Sequence, residues 1–402
     1  MSRVVIVGAG HAGGSAAALL RQYGHEGEIV LVGEEPIAPY QRPPLSKAWL
    51  KGEADSESLL LRPENFYAEH AIDWRPNVRV VGVDRERKVV SLGDGAELTW
   101  DTLILATGSQ AHKLPIPGAD DPRVLELRTA ADADRLKAAL QPGRRLIIVG
   151  AGYVGLEVAA SARALGCEAV VLEREARVLA RVASGPLSRF FEQFHRDRGV
   201  DIRTGAVVAA VEDACRVVLS DGTTIEGDAV LVGVGARACD ELAMEAGLAC
   251  DRGIVVDGEA RTADPAVFAI GDCTHRPWPL YDTSGRLESV PNALEQAKQA
   301  AAAIAGHAPP APEVPWFWSD QYELKLQIAG LPVGVDRLIV RGDPAEAKFA
   351  VFHMAGDLIR AVEAVNAGPE FMAGKLFIAQ KKLVDPAKLA DPSVSMKLVG
   401  AA

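Results

Sequence analysis

The sequence has few cysteines, and their spacing is not typical of any structural or redox centre. Its 402 residues include only five, Cys167, Cys215, Cys239, Cys250 and Cys273, an odd number with no C-x-x-C pair. This pattern argues against a disulfide framework, a zinc site and a self-contained iron–sulfur cluster. We therefore expect a reduced, cytoplasmic protein without a metal site.

The sequence also lacks a long apolar run and an excess of positive charge. Its longest plainly apolar stretch, residues 146–156, has 11 residues, well short of the roughly 18 that a membrane span needs. A strand-like run begins two residues after the initiator Met, so we expect no signal or transit peptide. The net charge of −11 argues against binding to nucleic acid or to an anionic membrane. The length, at roughly 100–200 residues per domain, predicts several soluble domains.

One glycine-rich motif occurs twice, each time directly after an apolar strand. Residues 3–7 run into GAGHAG at residues 8–13, and residues 145–149 run into GAGYVG at residues 150–155. Each motif leads into a helix-like segment and a second apolar strand that ends in acid, at Glu34 and Glu35 in one copy and at Glu173 in the other. Two complete βαβ patterns are therefore present.

This repeated pattern is typical of dinucleotide binding. The first glycine permits a sharp turn, the second lets the backbone approach a pyrophosphate, and the third lets helix and strand pack closely. The free N–H groups at the start of the helix then hold the phosphates. The terminal acid follows Gly8 by 26 residues and Gly150 by 23, close to the spacing of a ribose-binding carboxylate. A single such motif would be weak, but the repeat predicts two dinucleotides.

Further apolar runs lead into a glycine within residues 103–108, 230–235 and 267–272, and we interpret them as central strands that end near a ligand. Residues 309–315 contain four prolines, which is typical of a linker. The short strand-like runs and one helical segment that follow predict an α+β domain at the C-terminus.

The order of these motifs resembles that of the two-dinucleotide-binding flavoprotein reductases, and within them the NADH-dependent ferredoxin reductases that serve oxygenases. The resemblance covers nearly the whole chain and also rests on PYQRPPLSK (39–47), ATG (106–108), GDC (271–273), ESVPNALE (288–295) and WFWSDQY (316–322).

The resemblance implies an α/β fold with two Rossmann-like domains in the glutathione-reductase-like arrangement. The FAD-binding domain would comprise residues 1–111 and 239–308, with an NAD-binding domain inserted at residues 112–238. A C-terminal α+β interface domain would follow at residues 309–402.

The same resemblance implies the residues that hold each cofactor. Those assigned to FAD are Gly8, Gly10, Ala12, Gly13, Glu34, Glu35, Arg42, Lys47, Val80, Ala106, Thr107, Gly108, Arg128, Asp272 and Val290. Those assigned to NADH are Gly150, Gly152, Tyr153, Val154, Gly155, Glu157, Glu173 and Gly235.

Three residues are expected to take part in catalysis. Lys47 would stabilise the negative charge that a flavin gains on reduction, and Glu157 would be its counter-ion near the nicotinamide. Glu157 could instead complement the dipole of its helix. Trp318 is placed over the flavin by the resemblance, although a tryptophan there could equally be core at a domain interface.

Glu173 favours NADH over NADPH, because a carboxylate binds two ribose hydroxyls but repels a 2′-phosphate. The adjacent Arg174 weakens this preference slightly. No cysteine precedes Cys167, so the thiol step of the related disulfide reductases is excluded and electrons must leave from the flavin.

We therefore expect an enzyme that passes electrons from NADH through FAD, one at a time, to an acidic [2Fe–2S] ferredoxin. The ferredoxin would supply a haem-thiolate monooxygenase or a ring-hydroxylating dioxygenase. Docking needs a local basic patch, whose candidates are Arg286, Lys325, Arg337, Lys375, Lys381 and Lys382. A rubredoxin or nitrite-reductase-type electron donor remains an alternative, as does a signalling flavoprotein similar to apoptosis-inducing factor. We expect a monomer or weak dimer.

Overall fold

The computed structural model describes residues 2–400 and places the two strand–glycine–helix repeats in two separate parallel sheets. The strands are β1 (Arg3–Val7), β2 (Glu28–Val32), β3 (Ile72–Arg75), β4 (Val80–Asp84), β5 (Val89–Leu92), β6 (Glu97–Thr99), β7 (Thr102–Leu105), β8 (Ser109–Ala111), β9 (Arg145–Val149), β10 (Glu168–Glu173), β11 (Val200–Thr204), β12 (Val208–Glu212), β13 (Arg216–Leu219), β14 (Thr224–Glu226), β15 (Ala229–Val232), β16 (Ala236–Ala238), β17 (Ile254–Val255), β18 (Val267–Ala269), β19 (Thr274–Trp278), β20 (Thr283–Gly285), β21 (Trp316–Gln321), β22 (Leu324–Gly330), β23 (Arg337–Asp343), β24 (Lys348–Ala355) and β25 (Leu358–Val365).

The helices are α1 (His11–Gln22), α2 (Ala48–Lys51), α3 (Ser56–Leu59), α4 (Phe66–Glu69), α5 (Ala130–Ala139), α6 (Tyr153–Ala164), α7 (Gly185–Asp197), α8 (Glu241–Glu245), α9 (Val290–Ile304), α10 (Gly368–Gln380) and α11 (Pro386–Ala390). None of the helices within residues 2–400 is long and apolar enough to cross a membrane.

The described chain forms two compact units. The first comprises residues 2–42, 55–110 and 237–313, and the second comprises residues 43–54, 111–236 and 314–400. The three-domain boundaries expected from the sequence remain a prediction. The α/β class, the two Rossmann-like sheets and the C-terminal sheet domain are confirmed.

The first unit is built on a parallel sheet with the strand order β18-β7-β1-β2-β3. Helices α1 and α9 pack against each other and share the core on one face of this sheet, where alanines such as Ala17 and Ala300 are fully buried. The other face is covered by buried side chains that include Val90 of β5 and Trp100. Burial on both faces explains why β1, β2, β7 and β18 are continuous apolar runs in the sequence.

In the second unit, the parallel sheet β11-β10-β9-β15 carries the second glycine motif. The smaller antiparallel sheet β12-β13-β14 shares its core through Val217 and Ile225. The C-terminal part forms an antiparallel sheet, β21-β22-β25-β24-β23, with α10 packed against β22 and β25. The helix approaches closely at Gly374, where a Cβ would lie 2.7 Å from Val362 Cγ1.

Sequence reasoning located the strands before the two glycine motifs to the residue, at β1 and β9. The helices that follow were expected to begin at Ser15 and Leu156, but they begin earlier, at His11 and Tyr153. The reason is that Gly10 and Gly152 serve as the N-caps, so the motifs themselves supply the first turn.

Candidate functional site

The first glycine motif has two crowded glycines and one open glycine. Gly8 has a φ of +108°, and a Cβ there would lie 2.2 Å from the carbonyl oxygen of Ala106. A Cβ on Gly13 would lie 1.9 Å from the carbonyl oxygen of Gly8, whereas one on Gly10 would meet no described atom within 4 Å. The chain's own packing therefore requires glycine at positions 8 and 13, and the open space at Gly10 fits the approach of a pyrophosphate.

Helix α1 begins directly behind this open space. Its N-cap is Gly10, and glycine has no side chain that could accept a hydrogen bond from the first turn. The N–H groups there are therefore available to a ligand. The same holds for Gly152 at the start of α6. The residues present therefore fit a bound dinucleotide in each unit.

Two further loops meet the first motif at the carboxyl edge of the sheet. A Cβ on Gly271 would lie 3.0 Å from Ala12 Cβ, and Ser109 Oγ donates to Asp272 Oδ2 at 3.0 Å. The buried Gln296 accepts from the backbone N–H of Gly271 at 2.8 Å. The sequence did not single out Ser109 or Gln296, yet they hold the turn that presents Asp272.

The two acids after β2 differ in their surroundings. Glu35 accepts hydrogen bonds from the Tyr40 hydroxyl and from Arg42 Nη2, both at 2.7 Å. Burial alone would lower the pKa of Arg42, but Tyr40 and Glu35 outweigh it and the pKa is raised. Glu34 is 69% exposed and lies 3.6 Å from Arg79. Glu34 is thus the more accessible acid for a ribose.

The other residues assigned to FAD are distributed over both units. Val80 is buried in β4, Val290 starts α9, and Thr107 Oγ1 donates to the carbonyl oxygen of Cys239 at 2.6 Å, all within the first unit. Arg128 and Lys47 belong to the second unit. Their role at a flavin remains a prediction.

The second glycine motif repeats the geometry of the first. Gly150 has a φ of +108°, and a Cβ there would lie 2.4 Å from the carbonyl oxygen of Gly233. A Cβ on Gly155 would lie 2.2 Å from the carbonyl oxygen of Gly150, and one on Gly152 would meet no described atom within 4 Å. The same separation of packing glycines from an approach glycine therefore holds in the second unit.

Glu173 is fixed at the end of β10 by two backbone groups. Its carboxylate accepts from the N–H of Ala151 at 2.8 Å and from the N–H of Glu175 at 3.0 Å. Arg174 is 71% exposed and pairs with Glu175 at 3.1 Å. The carboxylate is thus oriented next to the glycine motif, where a ribose-binding acid is expected.

The remaining residues assigned to NADH surround this motif. The ring of Tyr153 packs edge-on against Phe317 with centroids 4.7 Å apart, and burial raises the pKa of its hydroxyl. Val154 is 45% exposed. Gly235 has a φ of +107°, and a Cβ there would lie 3.3 Å from Arg181 Nη2.

Lys47, which is partly buried, and Glu157 form an ion pair in the second unit. Lys47 Nζ lies 2.7 Å from Glu157 Oε2, and Glu157 is only 6% exposed. Ser46 Oγ donates to the same oxygen at 2.5 Å, and Ser319 Oγ donates to Oε1 at 2.6 Å. The pairing expected from the sequence is present, and the two serines are additional donors that the sequence did not reveal.

Trp318 is half-buried on β21, with its ring centroid 5.7 Å from that of Trp316. This packing is compatible with both roles expected from the sequence. Among the described residues, no group of three or more His, Cys, Asp or Glu side chains could hold a metal ion.

Comparisons with known proteins match two consecutive parts of the chain. A pyridine nucleotide-disulphide oxidoreductase family model matches residues 2–297, and a reductase C-terminal model matches residues 316–399. A probable ferredoxin reductase, CtmF, from Castellaniella defragrans is 52% identical over 92% of both chains. Putidaredoxin reductase CamA from Pseudomonas putida is 44% identical over 92% of this chain and 89% of its own.

Among solved structures, the covalent putidaredoxin reductase–putidaredoxin complex matches with a TM-score of 0.96 and 43% identity. The match covers 99% of this chain and 98% of that chain.

Proposed function

The chain belongs to the pyridine nucleotide-disulphide oxidoreductase family, and we propose that it passes electrons from NADH, one at a time, to an acidic [2Fe–2S] ferredoxin. It is a flavoprotein oxidoreductase whose cofactors are FAD and NAD(H). When bound, FAD supplies the conversion of a two-electron donor into single electrons. The proposed terminal acceptor of the ferredoxin's electrons is a haem-thiolate monooxygenase or a ring-hydroxylating dioxygenase.

Each part of the chain has a defined task in this proposal. The motif at residues 8–13 and Asp272 bind FAD, and the motif at residues 150–155 and Glu173 bind NADH. Lys47 provides a positive charge that stabilises negative charge on the reduced flavin, and Glu157 holds that cation in place. No side chain would have to transfer a proton, because the two cofactors, when held by these residues, would supply the hydride chemistry themselves.

The ion pair between Lys47 and the buried Glu157 is the observation that carries the proposal. The family is named for disulphide chemistry, but this chain has no cysteine before Cys167. It has instead a lysine, Lys47, that is paired with a fixed counter-ion, Glu157. Cys167 is itself buried, and burial raises the pKa of its thiol, which keeps it protonated and unreactive. Electrons therefore go to an external acceptor rather than to a protein disulphide.

The proposed ferredoxin-docking surface is the outer face of α10 and the residues that follow it. Met372 and Leu376 are 64% and 51% exposed, and Lys375 lies between them in sequence with its Nζ 5.1 Å from the ring centre of Trp316. Lys381 and Lys382 follow the helix. Exposed apolar side chains beside cations suit a partner with an acidic rim, even though the net charge of this chain is −11.

A cytoplasmic location and a monomer or weak dimer are part of the proposal. The location is supported by the five cysteines, which are all free, since the cytoplasm keeps thiols reduced.

The test measures NADH oxidation by the purified yellow protein with and without a [2Fe–2S] ferredoxin, with cytochrome c as final acceptor. We expect a low basal rate that rises strongly with ferredoxin. A fast rate with oxygen alone would identify an oxidase. Slow turnover with every acceptor would favour a signalling flavoprotein, and stimulation by rubredoxin alone would identify the alternative electron donor.

Charge reversal tests the docking surface. Lys381→Glu should lower kcat/KM for ferredoxin about tenfold at low salt, with a smaller loss at high salt. The matched control is Arg144→Glu, which makes the same charge change before β9, at the opposite end of that strand from the glycine motif. Equal effects of the two variants, or an unchanged salt dependence in Lys381→Glu, would exclude α10 and its C-terminal residues as the docking surface.

A further inference from the structure

A chain of buried polar side chains leads away from Glu157 to a histidine that the proposed mechanism does not use. Ser319 Oγ, which donates to Glu157 Oε1, lies 3.1 Å from Gln321 Nε2. Gln321 Oε1 lies 2.8 Å from Nε2 of His195 on α7. Ser319 and Gln321 are each 1% exposed and His195 is fully buried. Ser319 and Gln321 are two residues apart on β21, so their side chains lie on the same face of the strand.

The Glu157 carboxylate determines the direction of the hydrogen bonds that link Ser319, Gln321 and His195. Glu157 is paired with Lys47 and accepts from Ser46, so it is an acceptor only. The single hydroxyl proton of Ser319 must therefore point to Glu157, and Ser319 must accept from the Gln321 amide. The Gln321 oxygen then faces His195, whose Nε2 has to carry a proton. All three donors point toward Glu157.

The state of His195 agrees with this direction. Burial lowers the pKa of its ring to about 4, and the hydrogen bond that Nε2 donates to Gln321 opposes that effect only in part. The nearby Arg198 also lowers the pKa, and the ring of Tyr322 packs against the histidine with centroids 5.2 Å apart. The ring is therefore neutral at pH 7. Its other nitrogen, Nδ1, has no hydrogen-bond partner among the described residues, as expected if Nε2 holds the single proton.

We propose that Ser319, Gln321 and His195 are positioning residues for the transfer from NADH: they orient donors onto Oε1 of Glu157 and thereby hold its other oxygen against Lys47. The inference rests on the proposed function of the Lys47–Glu157 pair. Without these donors, Oε1 would be a buried acceptor without a partner, and the carboxylate would turn to find one. The cation of Lys47 would then lose its fixed position.

The first test reads the protonation of His195 directly. Nitrogen-15 NMR of the histidine-labelled holoenzyme should show His195 as the neutral tautomer with the proton on Nε2 at pH 7. This state should persist as the pH is lowered, until the pH approaches about 4. Gln321→Leu should remove the tautomer preference. A neutral ring with its proton on Nδ1 would reverse the direction of these hydrogen bonds and overturn the proposal. This reading needs neither NADH nor ferredoxin, so it stands apart from a failure of the proposed function.

The second test asks whether the chain acts through Glu157. Stopped-flow reduction of the flavin by saturating NADH, without ferredoxin, should be about tenfold slower in Ser319→Ala, because a hydrogen bond to a charged group is lost. The affinity for NADH should stay within about twofold, since Ser319 is not placed against that cofactor. In a Glu157→Gln background, Ser319→Ala should have almost no further effect, because the group it positions has already changed.

Ser188→Ala is the matched control. Ser188 is fully buried on α7, and its hydroxyl bonds to the backbone carbonyl of Val178, outside the chain of donors. It should alter thermal unfolding without slowing flavin reduction. If Ser319→Ala slowed reduction by the same factor with and without Glu157, or no more than Ser188→Ala does, a purely structural role would be established and the proposal would be wrong. If wild-type flavin were not reduced by NADH at all, the proposed function itself would fail.

Discussion

Replacing Glu173 with alanine should change the preference between NADH and NADPH, and the structure sets the size of the effect. The carboxylate uses one hydrogen bond on the N–H of Ala151 and one on the N–H of Glu175. An ionised carboxylate has about four acceptor positions, which leaves two for the two hydroxyls of a ribose. The two backbone hydrogen bonds thus orient the Glu173 carboxylate as the proposed binding of a diol requires.

The expected magnitude follows from these two bonds. A hydrogen bond to a charged group contributes about 1.5 kcal/mol or more, so losing two should cost about 3 kcal/mol, or about 100-fold in kcat/KM for NADH. For NADPH, the repulsion between the carboxylate and the 2′-phosphate disappears, and the exposed Arg174 becomes the nearest charge in sequence. We expect kcat/KM for NADPH to rise about tenfold.

The assay is flavin reduction or ferredoxin-linked turnover with each nucleotide over a range of concentrations. The control is Glu168→Ala, at the amino end of the same strand, where the carboxylate pairs with Arg145 at 2.6 Å. That variant should leave the ratio of the two efficiencies unchanged. If Glu173→Ala also kept the ratio within about twofold of wild type, the assignment of Glu173 to the ribose would be refuted.

Two further substitutions test the ion pair and the glycine motif. Lys47→Met should lower the free energy of unfolding by about 3 kcal/mol, because it leaves Glu157 buried without its counter-ion; Lys51→Met, whose partner is exposed, should cost less than about 1 kcal/mol in the same urea titration. Equal costs would show that Lys47 and Glu157 are not coupled. Gly10→Ala should fold with a normal circular dichroism spectrum, because its Cβ meets no described atom within 4 Å. It should bind FAD weakly, because the Cβ would occupy the space assigned to the pyrophosphate. A yellow, fully loaded variant would contradict that assignment.

The glycine motifs were predictable from the sequence because each glycine is required by the backbone geometry of its own short segment. A positive φ at Gly8 and Gly150, and the close approach of helix to strand at Gly13 and Gly155, are properties of a short segment. Residue type at fixed spacing is therefore enough to place them. The parallel sheets followed for a similar reason, since continuous apolar runs are typical of strands buried on both faces.

The surroundings of Glu157 were only half predictable. A buried lysine needs a counter-ion, which led from Lys47 to Glu157, but nothing in the local sequence marks Ser319 or His195. The Ser319–Glu157 bond joins residues 162 positions apart, and the His195–Gln321 bond joins residues 126 apart. A buried serine and a surface serine look the same in a sequence when their partners are distant, so only the folded chain shows which serine donates to the carboxylate.

The hydrogen bond from Ser319 to Glu157 gives the C-terminal domain a second proposed role. From its sequence it is an interface domain, and α10 with its exposed Met372 fits a partner surface. Yet β21 of that domain supplies Ser319 to the carboxylate that holds Lys47. If the proposed roles of Lys47 and of α10 hold, the domain contributes to the step with NADH as well as to the step with ferredoxin. An exchange of this domain that aims only at a new ferredoxin should preserve Ser319 and Gln321, since losing them would slow the first step whatever acceptor the new surface binds.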